Sequence, residues 1–170
     1  DAAHEGVTTL EIRFAPQLHR GARPEAIVDA ALDGIAGRAG LILCVLYGED
    51  PALAMRLAEL GAARGAVGLD LAGGPTPGHD WSMRSYAPAF RRAAELGLGR
   101  TVHAGEGRPP AEIRTAIEVL GAQRIGHGTG GKWFVEGGAI SFTEHFPFLA
   151  TAFWFGSTDC TGHVHGHVVL

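Results

Sequence analysis

His103 and Glu106 stand three apart in TVHAGEG (101–107), with only Ala104 and Gly105 between them. An imidazole can ligate a metal or carry a proton, a carboxylic acid can deliver a proton, and small spacers let the backbone come close to a ligand. Two other places carry groups of this kind. Asp70 lies in AVGLDLAGG (66–74), followed by Gly73 and Gly74, and His127 sits between glycines in RIGHG (124–128). Each has an ordinary reading as well: a surface ion pair, a helix or turn partner, a simple glycine turn, a satisfied loop histidine. Several familiar signatures are absent. There is no HExxH, which would set two histidines on one helix face, no glycine fingerprint running from a first strand into a helix, no P-loop and no G-x-S-x-G.

The elements that must hold these residues follow a β-then-α rhythm over residues 1–130. VTTLEIRF (7–14) alternates as a strand, with Leu10, Ile12 and Phe14 on one face and Glu11 and Arg13 on the other. Pro24 opens a helix to about residue 38, with Ile27, Ala31 and Ile35 as its apolar stripe. LILCVLY (41–47) is a continuous apolar run, as a strand covered on both faces requires. Pro51 opens a second helix through Leu53, Leu57 and Leu60, which Gly61 is expected to stop. AVGLDLA (66–72) is a third strand. Asp80 or Ser82 can cap a helix to about residue 96, with Tyr86, Phe90 and Ala94 inward. RTVHA (100–104) is a fourth strand, Pro109 and Pro110 begin a helix carrying Ile113, Ile117 and Leu120, and RIGHG is a short fifth strand.

Five such units in a row predict a parallel sheet with helices outside. Glycines and ionisable residues then gather where the strands end: Tyr47-Gly48-Glu49-Asp50, Asp70 to Gly74, His103 to Glu106, and Gly126-His127-Gly128. That rim is where parallel α/β folds, and (β/α)₈ barrels above all, build their sites. Strand alternation puts His103 on the face opposite Val102. If Val102 meets the helices, His103 points to the barrel interior, where a polar ring needs a partner and a metal is a good one.

The whole composition narrows the function. A net charge of −4 on 170 residues argues against a nucleic-acid binder or a partner of acidic membranes, both of which call for a basic patch. No apolar run is long enough to span a bilayer. The start, DAAHEGVTTL, has neither the basic nor the apolar region of a secretory signal. It also lacks an initiator methionine and reads as the end of a helix entering a strand, so we expect a missing N-terminal segment. Two cysteines, Cys44 in an apolar run and Cys160, do not make a disulfide framework, and a reducing cytoplasm is the expected compartment.

LEIRFAPQ, VGLDLAGG, TVHAGEG and RIGHGT, in this order and at these intervals, resemble the adenosine deaminase family of zinc hydrolases, with nearly continuous coverage from about Thr8 to Thr129. The resemblance implies an incomplete TIM (β/α)₈ barrel: about five βα units, the family's strands two to six, plus an atypical tail. It implies Zn²⁺ as cofactor and a small-molecule purine nucleoside as partner, with hydrolysis of adenosine to inosine and ammonia as the reaction. By the same resemblance His103 is a zinc ligand, Glu106 the proton shuttle to the purine ring, His127 the group that orients the attacking water, and Gly73 a backbone N–H donor to the base. The chemistry agrees: zinc supplies hydroxide at neutral pH, and protonating a ring nitrogen makes the adjoining carbon electrophilic.

The departures are equally specific. The family's first-strand His-x-His pair and its late Asn-Thr-Asp-Asp-Pro type motif are not found, and Gly74-Pro75-Thr76 stand where an acidic residue usually follows DLAG. His103 is then the one family zinc ligand present, whereas a catalytic zinc needs about three protein ligands. The 170-residue chain is therefore expected to be a fragment, inactive unless completed. Residues 131–170 lose the βα rhythm, hold no arginine and are rich in phenylalanine and histidine. They read as a second module or as sequence that has left its frame near Gly130, and the abrupt change without a linker favours the latter. FPFLATAFWF (146–155) fits a buried strand or a short helix equally. His163, His165 and His167 would share one strand face suited to a metal, but a tail that happens to be His-rich is the plainer reading. Related deaminases of adenine, an adenosine phosphate or a modified adenosyl compound, and a non-catalytic nucleoside-binding remnant, are the alternatives.

Overall fold

The computed structural model describes residue 4, residues 6–73, 81–105 and 108–128, and the backbone of 131–136 and 139–144. Five strands, β1 (Glu11–Phe14), β2 (Gly40–Leu46), β3 (Gly68–Ala72), β4 (Gly99–Ala104) and β5 (Arg124–His127), form one sheet in chain order with every neighbouring pair parallel. Helices α1 (Pro24–Ile35), α2 (Pro51–Arg64), α3 (Ala87–Glu95) and α4 (Ala111–Glu118) make the crossovers. This is the expected incomplete TIM-type barrel, with five strands and four crossover helices among the described residues.

The sheet is curled. Arg124, the first residue of β5, forms a two-pronged ion pair with Glu11, the first residue of β1, although these are the two edge strands. Four steps of about 4.8 Å would hold their backbones roughly 19 Å apart in a flat sheet, too far for two side chains to meet. The pair therefore spans the concave side, and Glu11 and Arg13 do lie on the face predicted for them.

The convex side carries the core. Leu41, Leu43, Leu69, Leu71 and Val102 are buried there, against Val28 and Ile35 of α1, Ala54, Leu57 and Ala58 of α2, Phe90 and Ala93 of α3, and Ile113 and Ala116 of α4. Several local expectations shift by a residue or more. β1 starts at Glu11, not residue 7, because β2, with which it pairs, begins at Gly40. On α1, Val28 takes the inward position expected of Ile27, and on α3, Ala93 takes that of Ala94. Gly61 does not stop α2. It is buried within the helix, where an added Cβ would lie 3.3 Å from Leu43 Cδ1, so it permits close helix–sheet packing. The helix instead ends at Gly65, whose φ of 83° closes it in the left-handed conformation.

Beyond the parallel sheet, β6 (Gly131–Glu136) and β7 (Ala139–Glu144) pair antiparallel in a sheet of their own. The periodicity of the sequence did not predict them. The segment 146–155 and the histidines at 163, 165 and 167 lie outside the described residues.

Candidate functional site

In β3, Leu69 and Leu71 point to the helices and are fully buried, so alternation sends Asp70 to the concave side. Asp70 is itself fully buried and in register with Cys44 of β2 and Thr101 of β4. An isolated carboxylate there would cost several kcal/mol, and three groups offset that cost. Arg13 Nη1 donates to Oδ2 at 3.1 Å, the Cys44 thiol lies 3.7 Å from the same oxygen, and His103 Nδ1 lies 3.1 Å from Oδ1. Asp70 is thus neither a helix partner nor a turn residue; it is the hub of a cross-strand polar network. Burial pushes the Cys44 thiol pKa up strongly, and the Asp70 charge pushes it the same way. Both effects hold Cys44 as a protonated thiol beside the carboxylate.

His103 follows the same alternation on β4, since Val102 and Ala104 are buried in the core. Its side chain is 9% exposed, seated between Asp70 on one flanking strand and Gly126 on the other. A Cβ at Gly126 would stand 3.0 Å from His103 Cγ and Cδ2 and 3.1 Å from Nδ1. The glycine of RIGHG therefore makes room for the imidazole. His127 ends β5 with φ 67°, a left-handed conformation that a non-glycine residue seldom adopts. Its ring centroid lies 5.3 Å from that of His103, at an interplanar angle of 57°.

The structure thus brings His103 and His127 together at the strand ends. Gly73, the first residue after β3, has φ 73°, and nothing lies within 4 Å of a Cβ placed on it. The backbone conformation, not crowding, is what calls for glycine there. Glu106 lies outside the described residues, one position beyond Gly105.

Not every rim residue is available for chemistry. Glu49 accepts from the backbone of Leu46 and from Gln17, both at 2.7 Å, and Asp50 caps α2 by accepting from Ala52 N. Buried Tyr86 donates to Glu49 O at 2.6 Å and accepts from Gly48 N at 2.9 Å, which fixes the turn after β2. Arg108 stacks over the Tyr47 ring with Cζ 4.7 Å from its centroid and pairs with Glu112. The roles of Arg13, Cys44 and Gly126 escape pattern reading, because they depend on which residues become neighbours across strands. One signal was present: a lone aspartate in an otherwise apolar strand has to find a buried partner.

Among the described residues no three His, Cys, Asp or Glu side chains converge as a metal cluster. His103 does fit one place in such a cluster. Its Nδ1 is engaged by a carboxylate, the outer partner that metal-binding histidines commonly have, and Nε2 makes no hydrogen bond among the described residues, so it can serve a ligand.

The sequence profile of the adenosine deaminase family matches residues 1–132. The chain belongs to the adenosine deaminase family. It is 36% identical over 140 residues to an adenosine deaminase of Clostridium perfringens, which covers 75% of this chain and 41% of that relative. Among solved structures, the adenine deaminase of Arthrobacter aurescens superposes with a TM-score of 0.65 at 31% identity, over 75% of this chain and 42% of that one. An amidohydrolase from Burkhoderia ambifaria with bound zinc superposes with a TM-score of 0.62 at 26% identity, over 76% of this chain and 38% of that one. The chain therefore spans about two fifths of the length of these matched proteins. No helix among the described residues is long and apolar enough to cross a membrane.

Proposed function

We propose that this chain contributes the central five βα units of a zinc-dependent hydrolase that converts adenosine and water to inosine and ammonia. The observation that supports this reading most is the His103 imidazole: it is partly buried, anchored through Nδ1 to Asp70, given space by Gly126, and faced by His127. In this reading His103 is one zinc ligand, and the remaining ligands come from sequence that this chain lacks. Residues 1–130 are the deaminase portion and 131–170 a tail outside the family pattern.

When bound, zinc would supply hydroxide at neutral pH by lowering the pKa of water. The chain's own residues do the rest. The Gly73 N–H holds the edge of the purine ring, and Glu106 gives a proton to ring N1, which makes C6 electrophilic. His127, whose ring lies 5.3 Å from that of His103, orients the water for attack and accepts its proton. A C–O bond forms at C6; the amino group then takes the proton held by His127 and leaves as ammonia as the C–N bond breaks, while the C6 hydroxyl returns its proton to Glu106 and becomes the carbonyl of inosine. In this reading the protein acts in the cytoplasm, which the free thiol of Cys44 supports.

The test compares the chain as given with the same sequence extended at both ends to the length of its relatives, scoring zinc content and ammonia release from adenosine. Activity and zinc in the extended form alone would bear out the reading. Zinc binding without turnover would leave a nucleoside-binding remnant, and lack of both would refute it. Adenine belongs in the substrate panel, because the Arthrobacter aurescens neighbour is an adenine deaminase.

A further inference from the structure

We propose that Arg13 and Asp70 act as a positioning pair that sets the tautomer of His103, and that Arg13 decides which way a group at position 70 can face. The inference rests on the reading of His103 as a metal ligand and adds to it the residues that make the ring competent.

Asp70 presents Oδ2 to Arg13 and Oδ1 to His103, each at 3.1 Å. A guanidinium only donates, so whatever faces Arg13 at the Oδ2 position must accept; the Cys44 thiol beside it can donate or accept and adds no such requirement. In aspartate both oxygens accept. His103 Nδ1 must then carry the hydrogen, and Nε2 keeps the lone pair that a metal requires. Full burial of Asp70 leaves no water to relax this arrangement.

The consequence is that Asp70→Asn, nearly identical in shape, should not be conservative. Arg13 draws the amide oxygen to itself and the NH₂ turns to His103. Nδ1 must then accept, the hydrogen moves to Nε2, and the ring loses its ligating lone pair. Removing the arginine lifts the restriction. In the double variant Arg13→Met/Asp70→Asn the amide is free to turn its oxygen to His103, so the ring should recover.

The experiment uses the protein at its full natural length. Nitrogen NMR of the His103 ring in metal-free protein reports the tautomer, and a competition titration with zinc reports affinity. The expected result for Asp70→Asn is hydrogen on Nε2 and a loss of zinc affinity of about 10–100-fold. The double variant should return to hydrogen on Nδ1 and regain part of the affinity. A merely structural role would make the double variant worse than the single one. Hydrogen on Nδ1 in Asp70→Asn with unchanged affinity, or no recovery in a folded double variant, would overturn the proposal. Should Asp70→Asn fail to fold, Arg13→Met alone decides: it should keep hydrogen on Nδ1, because the carboxylate remains, and any other tautomer refutes the pair. If the unaltered protein binds no zinc, the deaminase reading fails while the tautomer result still tests the positioning pair.

Discussion

Gly126→Ala should damage the site through a single methyl group. The new Cβ would stand 3.0 Å from Cγ and Cδ2 of His103. Carbon atoms pack at about 3.5–4.0 Å, so the ring must retreat by roughly 0.5–1 Å. Its way back is closed, because β4 lies between β5 and β3 and the ring already sits 3.1 Å from Asp70 Oδ1. A retreat of that size toward β3 would compress the contact below the hydrogen-bond floor of about 2.7 Å. The ring must instead rotate out of line and give up its anchor. Overpacking of this kind costs about 1–3 kcal/mol, and a misaligned ligand should lose zinc affinity by about 10–100-fold. Denaturant unfolding and a zinc competition titration, run side by side in the full-length protein, measure the two effects. Gly34→Ala is the control: it lies in α1 with nothing within 4 Å of the added carbon, and should be neutral or gain about 0.5–1 kcal/mol. A Gly126→Ala protein with unchanged unfolding and unchanged zinc affinity would refute the claim that this glycine exists to seat His103.

Glu106→Gln should lower kcat by about 10²–10⁴-fold with zinc content unchanged, since an amide cannot deliver the ring proton; a fall in bound zinc would instead mark Glu106 as a ligand. Phe90→Ala removes a fully buried ring from the core over α2 and α3 and should cost about 3–5 kcal/mol in denaturant unfolding; a loss under 1 kcal/mol would show that this core is not closely packed. Burial and the Asp70 charge both hold Cys44 in its thiol form, so the thiolate that reacts is scarce until pH rises far above the usual cysteine range. Alkylation of Cys44, followed by peptide mass spectrometry, should be slow in native protein near pH 8.5 and fast in denaturant; rapid native labelling would contradict the buried contact.

Much of this molecule was legible in the order of its residues. The βα rhythm, the strand alternation that sets Glu11 and Arg13 on one face of β1 and turns His103 away from Val102, and the gathering of glycines and ionisable groups at the strand ends all follow from short-range rules. They depend on the period of the backbone and on proline and glycine conformations, which neighbouring residues determine. The family follows from the same local motifs. The errors were of the kind that local rules cannot avoid. Gly61 looks like a stop signal but serves close packing under Leu43, and Val28 rather than Ile27 meets the sheet because the rotation of a helix about its axis is set by what it packs on.

What the tertiary structure alone decided is partnership across strands. Arg13, Cys44, Asp70, His103 and Gly126 come from all five strands, as many as 113 positions apart, and nothing in their separate segments says that they touch. Parallel pairing and its register bring them side by side, and the curl of the sheet lets Glu11 reach Arg124. Residue type and strand period determined by themselves that a buried aspartate and an inward histidine would each need a partner. Which partner each one has was decided by sheet order and register, because hydrogen bonds and close packing act over a few ångströms of space whatever the distance along the chain.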